Sequence, residues 1–268
     1  MKKLFTLSAL LVAGSILVTS CNRTVTPRKL DGDWTVVSGE RSTTASDTYD
    51  GVTYTSSTNS TYNGTTWTVT ETESGETETY TVTETIDYSF DRSTGEYMST
   101  SVMTDPEYSE WTYIQVYDDA DGNWSELTYV DRNTSRTSTT DIEGLFTITG
   151  DAGDEIEPNS QVVFQERTRT ETYTDTYTYT DSENGTSASV AGKYWYDWSE
   201  GDYVPFPTSE TGTETITMES TEAMVWNISE LGGGEMMVEY TNNYSSSESG
   251  SSYMYTYTSS GSMTLEEK

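Results

Sequence analysis

Histidine is absent from this chain of 268 residues, and cysteine occurs once, at Cys21. Without imidazole there is no Ser-His-Asp or Cys-His nucleophile and no His-ligated zinc or haem. One thiol makes no disulfide within the chain. Basic residues are scarce: 13 Lys and Arg stand against 45 Asp and Glu, a formal charge of −32. A phosphate backbone needs a basic stripe, so nucleic acid is not an expected partner. Apolar residues make up 32 %, where an ordinary domain has nearer half. No segment beyond residue 20 shows the 3.6-residue period of an amphipathic helix. What fills the space is Ser and Thr, about a third of the chain, with 21 Tyr and 7 Trp set among them.

Residues 1–20 begin Met-Lys-Lys and continue with an apolar stretch from Leu4 to Val18. A positive start, a short apolar middle and small residues before a cut form a secretory signal, too short and too interrupted to span a bilayer. Val18-Thr19-Ser20-Cys21 resembles the bacterial lipobox, in which the cysteine is lipidated and becomes the first residue of the mature protein. The resemblance implies a signal peptide over 1–20, a lipid on Cys21 and a tether over 21–30 that carries Arg23, Arg28 and Lys29. Several acyl chains anchor firmly, since each buried methylene contributes about 0.8 kcal/mol. The expected location is the outer membrane of a Gram-negative bacterium, with the choice between its periplasmic and surface faces open.

The body alternates. From Tyr80 to Phe90 the even positions are Tyr80, Val82, Glu84, Ile86, Tyr88 and Phe90, and the odd ones are Thr, Asp or Ser. A period of two marks a half-buried strand with its aromatics on the dry face. The pattern returns at Trp67 and Val69, at Tyr173, Tyr177 and Tyr179, at Trp226 and Ile228, at Met236, Val238 and Tyr240, and at Tyr253, Tyr255 and Tyr257. Short turn signals such as Ser74-Gly75, Asn184-Gly185 and Gly232 to Gly234 separate the runs. Connections this short join antiparallel strands. The expectation is an all-β, antiparallel fold occupying 31–268 as one domain, with loose segments at 41–60, 182–192, 199–212 and 245–252.

Lys29-Leu30-Asp31-Gly32-Asp33-Trp34 resembles the Gly-x-Trp opening of lipocalin-like proteins, with Gly32 and Trp34 in the motif positions. Trp226-Asn227-Ile228-Ser229-Glu230-Leu231, a turn, and Glu235-Met236-Met237-Val238 are similar to the closing hairpin of the lipocalin-like domains of secreted bacterial lipoproteins. The resemblance implies an up-and-down barrel, closed so that no edge is left to aggregate, and a body longer than a minimal eight-stranded barrel needs predicts ten or more strands or long hairpins.

Two basic residues stand out. Arg167 and Arg169, with Glu171, alternate in phase with Val163, Tyr173, Tyr177 and Tyr179. Facing a lumen, they would set two guanidiniums beside a tyrosine column, suited to an anionic or aromatic ligand. Facing outward, they neutralise nearby acids. Glu84, among large residues, needs a partner if buried, and Arg167 or Arg169 is the candidate. The acidic loops Asp118 to Asn123 and Asp151 to Glu157 offer calcium-type oxygens, but Tyr117 holds the first ligand position of the former, so no metal site is assigned and no cofactor is expected. Two functions follow for a non-enzymatic, lipid-anchored protein. One is a carrier of a small apolar or aromatic ligand in the lumen; the other is a structural or adhesive acidic envelope protein with a filled barrel and no ligand. The oligomeric state is not legible.

Overall fold

The computed structural model describes residues 30–49, 52–73, 75–125, 128–149, 160–218, 224–247 and 254–268. The expected signal segment, Cys21, most of the expected tether and the acidic loop 151–157 lie outside the described residues. Thirteen strands and no helix occur among those described: β1 (Gly32–Tyr49), β2 (Val52–Tyr62), β3 (Thr66–Glu73), β4 (Glu76–Asp91), β5 (Glu96–Val116), β6 (Thr128–Thr149), β7 (Gln161–Asp181), β8 (Tyr194–Asp197), β9 (Asp202–Pro205), β10 (Ser209–Met218), β11 (Met224–Gly232), β12 (Glu235–Ser247) and β13 (Met254–Glu267). Two segments expected to be loose are strand. Residues 41–60 fall in β1 and β2, whose Ser/Thr-rich faces carry no apolar alternation to announce them. Residues 199–212 contain β9 and the start of β10.

The strands follow one another around an antiparallel sheet in the order β7-β11-β12-β13-β1-β2-β3-β4-β5-β6, and β6 returns to β7 to close a ring of ten. A separate hairpin is formed by β8 and β9, and β10 lies along β7. Two compact units can be distinguished. The smaller comprises Thr104–Ser138 and Thr172–Thr213; the larger holds the remaining described residues.

In the larger unit the inner face is dry and aromatic. Trp34, Trp67, Trp226, Phe90, Phe164, Tyr88 and Tyr97 are all buried. Their rings meet at centroid distances of 4.8 Å (Phe164–Trp226), 4.9 Å (Tyr88–Trp226) and 5.3 Å (Phe90–Phe146), mostly edge to face, the arrangement their quadrupoles favour. Val36, Ile228, Met236, Val238, Met263 and Leu265 fill between them. The smaller unit has its own core of Ile114, Val116, Val130, Tyr179, Val190 and Phe206.

One irregularity decides which side chains of β1 face inward. Up to Val36 the inward positions are even, Trp34 and Val36. The register with β13 then shifts between Val36 and Ser38, a bulge that inserts one extra residue and reverses the faces of everything after it. Arg41 and Thr43 are consequently buried. At the same point β1 exchanges partners: Gly32–Thr35 pair with Phe90–Asp87 of β4, whereas Gly39–Tyr49 pair with β2. The β2–β3 turn occupies the gap. Asn63 caps it by accepting from the Thr65 and Thr66 amides at 3.2 and 2.9 Å, and the Glu84 amide donates to the Thr65 carbonyl at 2.9 Å. Gly64 has φ +94° and lies so close to the bulge that a Cβ there would stand 3.0 Å from the Val37 carbonyl oxygen.

Candidate functional site

Gly32, at φ +118°, opens β1 in a conformation that favours glycine,. Trp34 follows, 1 % exposed, with its indole N–H donating to the Leu30 carbonyl at 3.1 Å. Both motif residues therefore belong to the entrance of the first strand, and Trp34 is core.

The pairing of arginines with tyrosines differs from the sequence reading. On β7, Val162 and Phe164 are buried at even positions and Glu171, Asp175 and Tyr179 at odd ones, so the inward face changes phase between Phe164 and Glu171. Val163 therefore does not share the face of Glu171, Asp175 and Tyr179. Arg169 turns to Glu171, two residues on, at 2.6 Å. Burial raises the Tyr97 hydroxyl to about 12, with the charge of Arg167 opposing the rise. The guanidiniums that meet Tyr173 and Tyr177 come instead from β6. Arg136 lies 4.0 Å from the Tyr173 ring centroid and 3.8 Å from that of Tyr108. It also grips Asp175 through two bonds of 2.7 Å. Arg132 lies among Trp111, Tyr177 and Trp195 at 4.6, 4.8 and 5.5 Å. Each cation over an aromatic face contributes about 0.5–2 kcal/mol, according to how dry it is. The smaller unit thus holds a guanidinium–tyrosine cluster built from Arg132 and Arg136, with Asp175 as its anion. The cleft beside it, about 320 Å³, is lined by Tyr177, Tyr179, Ala188, Val190 and Phe206.

The turn from Asp118 to Asn123 holds itself together. Asp119 accepts from the amides of Asp121 and Asn123 and from the Asn123 side chain, while Asp118 pairs with Lys193. These bonds hold both carboxyls below the ordinary aspartate range. Among the described residues no group of three or more His, Cys, Asp or Glu is placed to hold a metal. The same unit exposes aromatic surface: Trp198 is 87 % and Tyr113 74 % exposed.

The larger unit contains a residue that the sequence reading passed over. Arg41 is 1 % exposed, and none of its three guanidinium nitrogens has a hydrogen-bond partner. Its guanidinium carbon is 5.9 Å from the Trp67 ring centroid, at the outer limit of a cation–π contact,. Burial lowers its pKa to about 10, opposed by the nearby Tyr240, Tyr257, Glu84 and Tyr80, so it is charged at neutral pH. Glu84 is not its hydrogen-bonded counterion. The Glu84 carboxylate accepts from the Trp67 indole N–H at 2.8 Å and bonds to Ser101, while burial raises its pKa. The expected pairing of Glu84 with Arg167 or Arg169 is thus replaced by Trp67, Ser101 and the field of Arg41.

The registers place Arg41 within one row of inward residues. Across the strands, Trp226 of β11 stands opposite Tyr240 of β12, Tyr240 opposite Gly261 of β13, Gly261 opposite Arg41 of β1, and Arg41 opposite Ser60 of β2. The Trp226 indole nitrogen, the Tyr240 hydroxyl and the Ser60 hydroxyl are buried and, like Arg41, without a hydrogen-bond partner. A native fold leaves few buried polar groups unpaired, and here four members of one row are.

No protein-family model, no curated protein and no solved structure matches this chain. The geometry is therefore the basis for any statement of function.

Proposed function

We propose that this chain is a lipid-anchored, non-enzymatic protein of the cell envelope, built as a lipocalin-like barrel that carries a small apolar or aromatic ligand inside. The observation that carries this reading is the change of character along the inner face of the larger unit. Around Trp34, Phe90 and Phe164 the rings touch one another and leave the interior filled. Beyond the Val37 bulge, where β2 and β3 enter between β1 and β4, the ring runs through ten strands instead of the eight it has through the direct β1–β4 pairing. A closed sheet widens with strand number. That level carries the half-buried Tyr80 and Tyr257 and the unpaired Arg41 and Ser60.

The experiment is native mass spectrometry of residues 22–268, purified without the lipid, followed by solvent extraction. The expected result is a stoichiometric small molecule. A bare mass that stays bare after exposure to apolar and aromatic compounds refutes the carrier reading. One observation favours the alternative, an adhesive envelope protein: the aromatic surface of the smaller unit, with Trp198, Tyr113 and Trp124 all at least half exposed. An apo protein whose attachment to cell-wall material falls on loss of Trp198 would support it.

A further inference from the structure

The row that contains Arg41 lacks one kind of partner. Arginine and tryptophan side chains donate and do not accept, and the serine and tyrosine hydroxyls donate as well as accept. The four unpaired side chains of the row therefore present donors to the interior, and what is missing is an acceptor. The chain is not short of acceptors, having 45 carboxylates, yet Glu84, the carboxylate whose charge acts on Arg41, is turned to Trp67 and Ser101. A buried charge with neither partner nor hydrogen bonds is unstable in a folded protein, so the arrangement makes sense when something else completes it.

Two positions beside Arg41 carry no side chain. Gly261, between Arg41 and Tyr240 in the row, contributes no side chain. Two strand spacings, about 10 Å, separate the backbones that carry Arg41 and Tyr240. On β1 itself the preceding inward position is Gly39, opposite Met263 and Tyr62, also without a side chain. The guanidinium nitrogens are closed to solvent, so an anion reaches them by displacing the side chains that pack over these two glycines. Trp67, Tyr80 and Tyr257 offer aromatic faces nearby.

We propose that Arg41 is the seat for the oxyanion of a small organic acid, a carboxylate or sulfonate attached to an apolar or aromatic body. The Tyr240 and Ser60 hydroxyls on either side of Arg41 in the row act as auxiliary donors. This rests on the carrier reading and narrows it from apolar compounds in general to apolar acids. The selectivity runs against the net charge of −32, which disfavours the approach of any anion, so a preference for acids requires a local cation inside.

Two fluorescent probes with the same aromatic body separate the readings. Anilinonaphthalene sulfonate carries one anionic group, and N-phenylnaphthylamine carries none. Both are titrated against residues 22–268 at 0.15 M salt, with the wild type and with Arg41→Met, whose apolar side chain fills similar space. We expect the wild type to bind the sulfonate at least tenfold more tightly than the neutral probe. Arg41→Met should abolish that preference while keeping the neutral probe. Its ligand-free form should melt no lower than the wild type, because a buried charge has been removed. Equal affinities in the wild type overturn the anion seat and leave the carrier reading intact. Failure of both probes refutes the two together. If Arg41→Met unfolds, Arg41 is a structural element and the seat is refuted; the probe ratio in the wild type needs no variant to be decisive.

Discussion

Replacing Arg136 with lysine separates the observed guanidinium stack from the one expected along β7. Lysine keeps the charge, but it loses the planar fork that holds Asp175 at 2.7 Å with both nitrogens and the flat faces that rest on Tyr108 and Tyr173,. A hydrogen bond to a charged group contributes about 1.5–3 kcal/mol, and each aromatic face about 0.5–1 kcal/mol. The side chains of Arg136 and Asp175 are only 13 % and 8 % exposed, so solvent screening reduces this little. Lysine recovers part of the attraction, which leaves a loss of about 2–4 kcal/mol by the same values. With roughly 2–4 °C per kcal/mol for a protein of this size, calorimetry should show a fall of about 5–15 °C in the transition that involves the smaller unit. Hydrogen exchange should accelerate first in peptides from 104–138 and 172–213. Arg169→Lys is the control. It pairs with Glu171, a neighbour two residues away, and Arg169 is 28 % exposed, so the expected loss is about 0–1 kcal/mol. A double-mutant cycle of Arg136→Lys with Asp175→Asn should show coupling of about 1 kcal/mol or more. Equal losses from the two lysine variants, or full additivity in the cycle, would refute the assignment.

Three other outcomes follow from the geometry. Gly64→Ala places a Cβ 3.0 Å from the Val37 carbonyl at a φ of +94°; urea unfolding should show a loss of about 2 kcal/mol, of which 1–2 is the left-handed backbone alone, and a loss near zero would mean that the turn does not rest on the bulge. Glu84→Gln retains an acceptor for Trp67 and removes a titration. Burial raises the Glu84 pKa above its ordinary 4.5, so the folded state holds that proton more tightly than the unfolded chain. The contribution of Glu84 is most favourable below pH 4.5 and declines as pH rises through the elevated value. The stability of the wild type relative to Glu84→Gln should therefore fall between pH 4.5 and neutrality, and a pH-independent difference would contradict the burial. Finally, Cys21→Ser should abolish incorporation of labelled fatty acid and release the protein from the membrane fraction; retention of the label would place the lipid elsewhere.

The strands that could be read from sequence were those that alternate large and small. The run from Tyr80 to Phe90 and the Trp226–Val238 hairpin buried the faces that their periodicity indicated, because one-sided apolar area fixes register. Residues 41–60 gave no such signal. Their inward positions are Arg41, Thr43, Ser60 and other small polar groups, which look like a loop when polarity stands for exposure. Arg41 was further concealed by the Val37 bulge. Continuing the alternation of Trp34 and Val36 puts Glu40 inward and Arg41 in solvent, and Val37 carries no mark of an inserted residue. The guanidinium–tyrosine cluster was legible as chemistry but not as identity. Periodicity assigns faces within one strand, whereas Arg132 and Arg136 reach Tyr177 and Tyr173 from a neighbouring strand, and only the register between strands brings them together.

The seam between β1 and β13 bears on how the molecule comes to exist. These strands pair from Trp34 with Glu267 to Thr48 with Met254, and the Thr43 hydroxyl bonds to that of Ser259, 216 residues later in the chain. While the chain is being made, β1 has no partner for one of its two edges until residues 254–267 have appeared. During that interval its unpaired backbone is open to any other strand, including that of a neighbouring copy. Loop closure over such a separation is entropically demanding and slow. The waiting edge is protected by its own composition, since Ser42, Thr43, Thr44, Ser46 and Asp47 offer a foreign strand little apolar surface. The polarity that disguised this strand as a loop also allows it to wait without aggregating.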